Sequence, residues 1–424
     1  MNPKVSIILT SYNKPALIGK AIESVIGQSL AEWELFIMDD NSNKETLNVI
    51  KKYLDDSRIV YMNSSIKDDE RYQKTRYAVL INKAIPLTRG TYISYLTDDT
   101  VYVPERLEEM VSFFTRNPKI DIVYSSQQVK FVDYQLKTLY ERVRTAKNVL
   151  YQAANIVDHC SVMHTRTILE RVYEKYGEHW NESSVHWHNG DAAFWERLNT
   201  FQSFHPIAKV LDITYKTPYS FQSLYINLPV ILPNGTLVRD LSHQVFLIDE
   251  QQRRFVTKDM LIHFKYDPKK IITIPDPFLY KYAEGPSIDS STSIPNLRVV
   301  QNEKNEIFYI ENNKKRPIIN RVTFRKFKFS SREVIKIESA LLDSIPYGLP
   351  LSSSLLCDTC LPESKVLTYY NQYWLVMNCK LHPIDKKVVQ KLNLLHKCIR
   401  VSRTEIEAFE KGEPIIPYLK RRLR

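Results

Sequence analysis

Tyr92-Ile93-Ser94-Tyr95-Leu96-Thr97-Asp98-Asp99 is the stretch that decides the fold. A short run of β-branched and aromatic residues ends on two carboxylates. The same design stands upstream in Leu35-Phe36-Ile37-Met38-Asp39-Asp40. Apolar runs of this length read as buried parallel strands. In open α/β sheets, ligands sit beyond the carboxyl ends of the strands. Four carboxylates are therefore expected at the edge where a nucleotide would bind. That points to a metal-assisted enzyme acting on a nucleotide-linked substrate.

Outward from these runs, strand and helix patterns alternate. Val5-Ser6-Ile7-Ile8-Leu9 reads as a strand and Thr10-Ser11-Tyr12-Asn13 as a polar turn. Pro15 suits a first helical position, and Ala16 to Ile26 carries helical apolar spacing. Further strands are expected at Trp33 to Met38 and Ile59 to Tyr61, with helices at Lys44 to Leu54 and Tyr77 to Ile85. Such alternation predicts a mostly parallel sheet covered by helices on both faces.

The chain has nine glycines, and none forms G-x-G-x-x-G or G-x-x-x-x-G-K-[ST]. A diphosphate is thus not cradled by a glycine-rich loop. A divalent cation held by carboxylates is the alternative, and Mg²⁺ and Mn²⁺ take oxygen ligands. Asp98 and Asp99 suit that role; the bland reading of the pair is an acidic turn or a helix cap.

A length of 424 residues fits two or three domains. No apolar run reaches the length of about 18 residues that a membrane span needs. Met1-Asn2-Pro3-Lys4 does not open a secretory leader, and five cysteines make no disulfide framework, so a reducing cytoplasm is expected. The net charge of +11 is unevenly spread: residues 221–424 carry 32 Lys and Arg against 21 Asp and Glu, whereas the first 220 carry 27 of each. The basic half is either a solvated surface or a contact for something anionic, such as a phosphate-rich glycan or a membrane surface. The closing Lys420-Arg421-Arg422-Leu423-Arg424 would suit peripheral contact with anionic lipid.

Val5 to Asn13, Phe36 to Ser42, Lys74-Thr75-Arg76-Tyr77 and Thr97-Asp98-Asp99 resemble the family 2 glycosyltransferases, which have a GT-A fold. With Ile156-Val157-Asp158-His159-Cys160-Ser161-Val162-Met163-His164 added, the likeness is to those of spore-coat polysaccharide synthesis, over roughly residues 1–226. The resemblance implies a Rossmann-like, mostly parallel α/β domain over residues 1–228. It implies roles residue by residue. Thr10 and Tyr12 line the nucleotide pocket, with Tyr12 stacked on the base. Asp40 accepts the N3–H of uracil or thymine. Arg71 and Lys74 lie near base and phosphates. Asp98 contacts the ribose, and Asp99 is the ligand of Mn²⁺ or Mg²⁺.

In His188-Asn189-Gly190-Asp191-Ala192, Asp191 matches the general base of an inverting transfer, which takes the acceptor proton while the metal stabilises the leaving diphosphate. A helix N-cap is the bland alternative for Asp191. Asp158 and His159 match an acceptor or donor-sugar element. His186, His188 and His205 lack tight metal-ligand spacing. One departure is plain: many related enzymes carry a histidine after the last core strand, and Tyr219-Ser220-Phe221-Gln222 has none.

Residues 229–424 carry an internal repeat. Val245-Phe246-Leu247-Ile248 with Arg253-Arg254-Phe255-Val256 recurs as Ile307-Phe308-Tyr309-Ile310 with Lys315-Arg316-Pro317-Ile318. It recurs more weakly as Tyr373-Trp374-Leu375-Val376 with Leu381-His382-Pro383-Ile384. Gly285, Gly348 and Gly412 fall at one equivalent place, suggesting a turn that only glycine tolerates well. The expectation is an α+β domain of three units of about 60 residues, at about 229–291, 294–354 and 360–424, that pack together. It would be an oligomerisation or structural module, or a glycan-binding array in which Tyr309 or Trp374 stacks on sugars. The pattern weakly resembles repeats of wall-associated proteins. Cys357-Asp358-Thr359-Cys360 is a single C-x-x-C, weak evidence for zinc, and Cys379 and Cys398 suit ordinary buried positions.

The leading expectation is an inverting, metal-dependent glycosyltransferase that uses a UDP- or dTDP-sugar and a glycan acceptor, neutral or anionic. It would build a bacterial surface or spore-coat polysaccharide in the cytoplasm, free or in peripheral contact with the inner membrane face. No nucleic acid partner is expected. The rival is a glycan- or wall-binding protein with a degenerate transferase domain. A nucleotidyltransferase would need a glycine-rich, basic loop after the first strand, which Thr10-Ser11-Tyr12-Asn13-Lys14-Pro15 is not.

Overall fold

Residues 2–292, 294–355 and 361–417 are described by the structure, a computed structural model. Strands β1 (Val5–Ser11), β2 (Trp33–Asp39), β3 (Ile59–Asn63) and β4 (Tyr92–Thr97) lie parallel in the order β3-β2-β1-β4. Their residues alternate between two cores. Ile8, Phe36, Met38, Ile93 and Tyr95 enter one, while Ile7, Leu9, Leu35, Ile37 and Leu96 enter the other. Burial on both faces is why these strands read as unbroken apolar runs.

Helices α1 (Pro15–Ile26), α2 (Lys44–Ile50), α3 (Arg76–Ala84) and α4 (Arg106–Arg116) cover the two faces. α1 begins on Pro15 and buries Leu17, Ile18, Ala21, Ile22 and Val25. The helix expected to reach Leu54 ends at Ile50 and tightens into a 3₁₀ turn over Lys51–Tyr53, a common way for a helix to finish.

Past β4 the sheet becomes mixed. β5 (Thr100–Tyr102), β6 (Ile122–Val132), β7 (Thr138–Arg144), β8 (Val162–Thr165) and β9 (His205–Lys216) extend the order to β3-β2-β1-β4-β8-β6-β9-β5, with β7 on β6. β8 runs antiparallel to β4 and β6, and β6 runs parallel to β9. α5 (Arg166–Tyr176) and α6 (Gly190–Asn199) complete this region. This is the GT-A-like α/β architecture, and it positions the acidic pair: β4 stops at Thr97 and β5 starts at Thr100 on another edge of the sheet, so Asp98 and Asp99 occupy the break.

The chain divides into two compact units, Met1–Ser223 and Leu224–Arg424. In the second, three antiparallel hairpins stand where the sequence puts them: Val245–Asp249 with Gln252–Phe255, Ile307–Glu311 with Lys314–Pro317, and Gln372–Met377 with Lys380–Pro383. Each hairpin also gains a leading antiparallel strand, at Leu237–Arg239, Arg298–Gln301 or Val366–Tyr369. A short parallel strand follows at Ile272–Thr273, Val334–Lys336 or Ile399–Arg400. These additions are two to four residues long, too short for a periodic signal.

The middle sheet joins the cores. Phe308 and Ile310 pack with Leu247 and Phe264 of the first sheet, whereas Tyr309 packs with Trp374 and Leu381 of the third. That is strand alternation used to bind two neighbours. Tyr309 and Trp374 are both buried, which overturns them as exposed sugar-stacking rings.

The three matched glycines are also required for a different reason than expected. Positive φ among glycines is confined, in the described residues, to Gly177 and Gly235. A Cβ on Gly285 would lie 2.6 Å from Gln252, one on Gly348 2.9 Å from Arg316, and one on Gly412 2.2 Å from the His382 ring. Close approach to the second hairpin strand, not a left-handed turn, sets these glycines apart, and a side chain there would make a neighbour on that strand shift.

Cys379 is exposed and disulfide-bonded, in contrast to the buried thiol expected, while Cys160 and Cys398 are free. The Cys357/Cys360 zinc reading and the basic run Lys420–Arg424 fall outside the described residues. Among the described residues, no helix is long and apolar enough to cross a membrane.

Candidate active site

At the carboxyl edge of β1 and β4, the Tyr12 amide donates to Asp98 Oδ2 at 2.7 Å. Lys14, in the turn before α1, places Nζ 2.9 Å from Asp98 Oδ1 and 2.7 Å from Asp99 Oδ2. Thr97 Oγ1 donates to Asp99 Oδ1 at 2.8 Å. Burial pushes the Asp98 carboxyl up to about 6. Against burial, Lys14 and then Lys216 hold Asp99 well below the usual carboxylate range. Two carboxylates therefore converge on one cation, the Lys14 ammonium. Such an oxygen donor pair is also of the type that could hold a hard divalent ion.

A second cluster is built around Asp40. Arg71 Nη1 donates to Asp40 Oδ2 and Arg76 Nη2 to Asp40 Oδ1, each at 2.7 Å. The Arg71 guanidinium lies 4.2 Å from the centroid of the Tyr12 ring, a cation–π contact. Tyr12 thus links the two clusters, by its amide to Asp98 and by its ring to Arg71. Thr10 is buried near the end of β1, between Met38 and Thr97. Asp39 is different. It accepts from Asn63 Nδ2 at 2.9 Å and from the Ser42 amide at 3.1 Å, so it ties β2 to β3 instead of facing the edge with the other three carboxylates.

The third cluster lies between α3 and α6. The Tyr77 hydroxyl accepts the Gly190 amide at 2.6 Å, and a Cβ on Gly190 would lie 2.7 Å from that oxygen. Glycine is what lets Tyr77 reach the start of α6. The helix N-cap is Asn189, not Asp191; Asp191 sits in the first turn and accepts the Ala192 amide at 2.9 Å. Burial, reinforced by Asp158 and opposed by His159, raises the Asp191 carboxyl above its ordinary range. The Tyr77 and His159 rings stack at 6.2 Å between centroids, and His159 Nε2 is buried without a hydrogen-bond partner among the described residues.

Lys216, at the end of β9, ties these groups together. It acts electrostatically on both Asp99 and Asp158, and Asp158 in turn on Asp191. Asp158 also accepts from Arg144 Nη1 at 3.1 Å. It lines a cavity of about 210 Å³ with Gln127, Arg144 and Asn148. Beneath it, the fully buried Arg106 donates to the Cys160 carbonyl at 2.6 Å and to Asp212 at 3.2 Å, which fixes the turn holding Asp158 and His159. The ligand atoms of Asp158, His159 and Cys160 lie within 4.8 Å of one another. Burial raises the Cys160 thiol well above its usual range, so a protonated soft donor makes this trio a poor match for Mg²⁺ or Mn²⁺. Lys74 stands apart from these clusters in an ion pair with Glu182 at 2.7 Å.

The family model for glycosyl transferase family 2 matches residues 6–177. Protein CgeD of Bacillus subtilis is 43% identical over 421 residues, covering 98% of this chain and 97% of that protein. The chain belongs to glycosyl transferase family 2. An uncharacterized glycosyltransferase of Methanocaldococcus jannaschii is 29% identical over 225 residues, covering 51% of this chain and 71% of that protein. Among solved structures, Staphylococcus aureus TarS aligns over 51% of this chain and 37% of its own at 15% identity, with a TM-score of 0.39.

In this family 2 glycosyltransferase, sequence reasoning missed Lys14, Arg76, Lys216, Tyr77 and the Arg106–Asp212 pair. A signal existed for Lys14, a lone base in the polar turn after β1 facing an acidic edge. Lys216 is the last residue of β9. Nothing in the sequence pairs Arg106 with Asp212.

Proposed function

We propose that this glycosyltransferase is inverting and cation-dependent, and moves a sugar from a UDP- or dTDP-sugar to a growing bacterial surface or spore-coat glycan. The observation that carries the reading is the Lys14 ammonium held 2.9 Å from Asp98 and 2.7 Å from Asp99, with Tyr12 joining that acidic pair to the Asp40–Arg71 cluster. Asp40 receives the base, Tyr12 offers its ring to it, and Arg71 and Arg76 hold the Asp40 carboxylate in place. Thr10 and Asp98 bound the ribose side, and Lys74 swings from Glu182 toward the phosphates. Asp99, with Asp98, would hold Mn²⁺ or Mg²⁺, which supplies positive charge for the diphosphate leaving group.

Asp191 takes the proton of the acceptor hydroxyl as the sugar carbon gains oxocarbenium character. Its raised carboxyl suits a base that must gain a proton. Asp158 and His159 hold the sugars, next to the cavity lined by Gln127 and Arg144. Work on the cytoplasmic side follows from where nucleotide sugars are made. A relative named as a UDP-Glc-dependent glucosyltransferase, WfgD of Escherichia coli, is 31% identical over 125 residues, covering 30% of this chain and 46% of that protein. The C-terminal unit is read as three copies of one fold at about 229–291, 294–354 and 360–424, on the strength of the repeated hairpins and glycine approaches.

The test is a thermal-shift screen of UDP-, dTDP- and GDP-sugars with and without Mn²⁺. A ligand at about 100 times its Kd adds about 2.7 kcal/mol. A UDP- or dTDP-sugar should raise Tm in a Mn²⁺-dependent way, and Asp99→Ala should remove that dependence. Stabilisation by GDP-sugars alone would contradict the reading.

A further inference from the structure

Among the three sheets of the C-terminal unit lies a cavity of about 130 Å³. Each sheet region contributes to its wall: Tyr266 comes from the first, Tyr309 and Phe329 from the second, and Leu375 and Leu392 from the third. A water needs roughly 10–15 Å³ of such space, so the cavity has room for roughly ten waters or one sugar-phosphate-sized ion. A void between merged hydrophobic cores is expected to be apolar. This one is lined by four cations, Lys270, Arg298, Lys365 and Lys397, and by the acids Asp267, Glu333 and Glu363.

The acids are largely committed. Glu333 accepts from Lys397 at 2.8 Å and also from Lys270. Asp267 accepts the Lys269 amide at 3.0 Å, and Glu363 accepts the Asn378 amide at 2.9 Å. Two cations are left without a carboxylate. Arg298 lies 4.2 Å from the centroid of the Tyr266 ring and, among the described residues, donates only to the carbonyls of Leu297 and Phe264. Lys365 makes no hydrogen bond or ion pair among the described residues; its ammonium rests 4.0 Å from the centroid of the Phe329 ring. Lys365 and Arg298 also act on each other electrostatically. Both are half-buried, and positive charges brought together without a counter-charge are unfavourable, so an anion between them would relieve that.

We propose that this cavity is a binding site for a small ligand carrying an oxyanion, phosphate or carboxylate, held by Lys365 and Arg298. The site goes beyond the transfer chemistry and stands on the C-terminal unit alone. Burial, with Lys397, Lys270 and Arg298 adding and Glu333 opposing, lowers Lys365 to about 7. Burial, with Glu311 adding and the Asn378 amide opposing, raises Glu363 to about 7. Lys397 is lowered to about 8, chiefly by burial. Below pH 7 Lys365 is charged and Glu363 neutral, so both favour an anion. Above pH 7 both turn against it, and affinity falls.

The test is calorimetric titration of the full chain with inorganic phosphate, D-glucuronate and neutral N-acetylglucosamine, at constant ionic strength in chloride. Phosphate or glucuronate should bind, more tightly at pH 6 than at pH 8, and N-acetylglucosamine should not. Binding of phosphate alone assigns a phosphorylated ligand, and binding of glucuronate alone a uronic acid. Lys365→Met should weaken binding roughly tenfold or more, and Lys365→Arg should retain it. A second measurement needs no variant: whichever of the two anions binds should slow acylation of Lys365 but not of the exposed Lys83. Absence of binding by both anions, an affinity unmoved by Lys365→Met, or an unchanged acylation rate at Lys365 would overturn the proposal.

Discussion

The two units handle buried charge in opposite ways. In Met1–Ser223, ionised groups gather where strands end, and three of the carboxylates there meet cations: Asp98 and Asp99 meet Lys14, and Asp40 meets Arg71 and Arg76. In Leu224–Arg424, charges line the space between small sheets, and two of the cations there, Arg298 and Lys365, lack a carboxylate among the described residues. The first arrangement builds chemistry at a sheet edge over a deep core. The second follows from small sheets that cannot close a core alone and leave polar space where they meet.

Substitutions in each unit can break this contrast. Asp191→Asn should lower transfer by about 10²–10⁴-fold, the span of general-base catalysis, while nucleotide affinity stays nearly intact. Loss of nucleotide binding in that variant, measured by calorimetry, would make Asp191 structural.

Next in size is the buried pair under the site. Arg106→Met leaves Asp212 charged and buried with Gln127, Ser125 and Ser161. Unfolding in denaturant should show a loss of about 3–5 kcal/mol. A loss below about 1 kcal/mol would mean that the pair is not what fixes the 159–161 turn.

Acid should then separate the units. Burial lowers His164 to about 4 from an ordinary 6.5, so between those values the unfolded chain binds a proton that the folded chain refuses. Stability is full above pH 6.5 and is lost as pH falls toward 4, by about 3 kcal/mol. His164→Gln should lessen that dependence for the first unit, with His179, also lowered to about 4 by burial, supplying the remainder; an unchanged slope would assign the acid sensitivity elsewhere.

The smallest effects test the glycines. Gly412→Ala drives a methyl into the His382 ring and should cost about 1–3 kcal/mol. Gly177→Ala meets nothing within 4 Å and strains only its positive φ, so it should cost about 1 kcal/mol. Equal losses in thermal melts would remove close approach as the reason for Gly412.

What was legible follows the same division. Strands buried on both faces, such as β1 and β4, announce themselves as apolar runs, and their ends located Asp40, Asp98 and Asp99. The hairpins of the C-terminal unit were visible because they recur. Their leading and parallel strands were not, being two to four residues long. Lys14, Lys216 and the Arg106–Asp212 pair escaped notice because partnership across 85 or 106 residues is a property of topology, not of local pattern. Tyr309 and Trp374 misled because alternation in a strand does not say that both faces are covered.

The central claim is that the carboxylates at the ends of β2 and β4 form a nucleotide site completed by Asp191. A crystal of the full chain soaked with UDP and Mn²⁺ tests it most directly. The expected density puts the base against Tyr12 and Asp40, the metal on Asp99 in place of the Lys14 ammonium, and the diphosphate facing Asp191. Nucleotide density away from β1 and β4, with Lys14 still bridging Asp98 and Asp99, would contradict it.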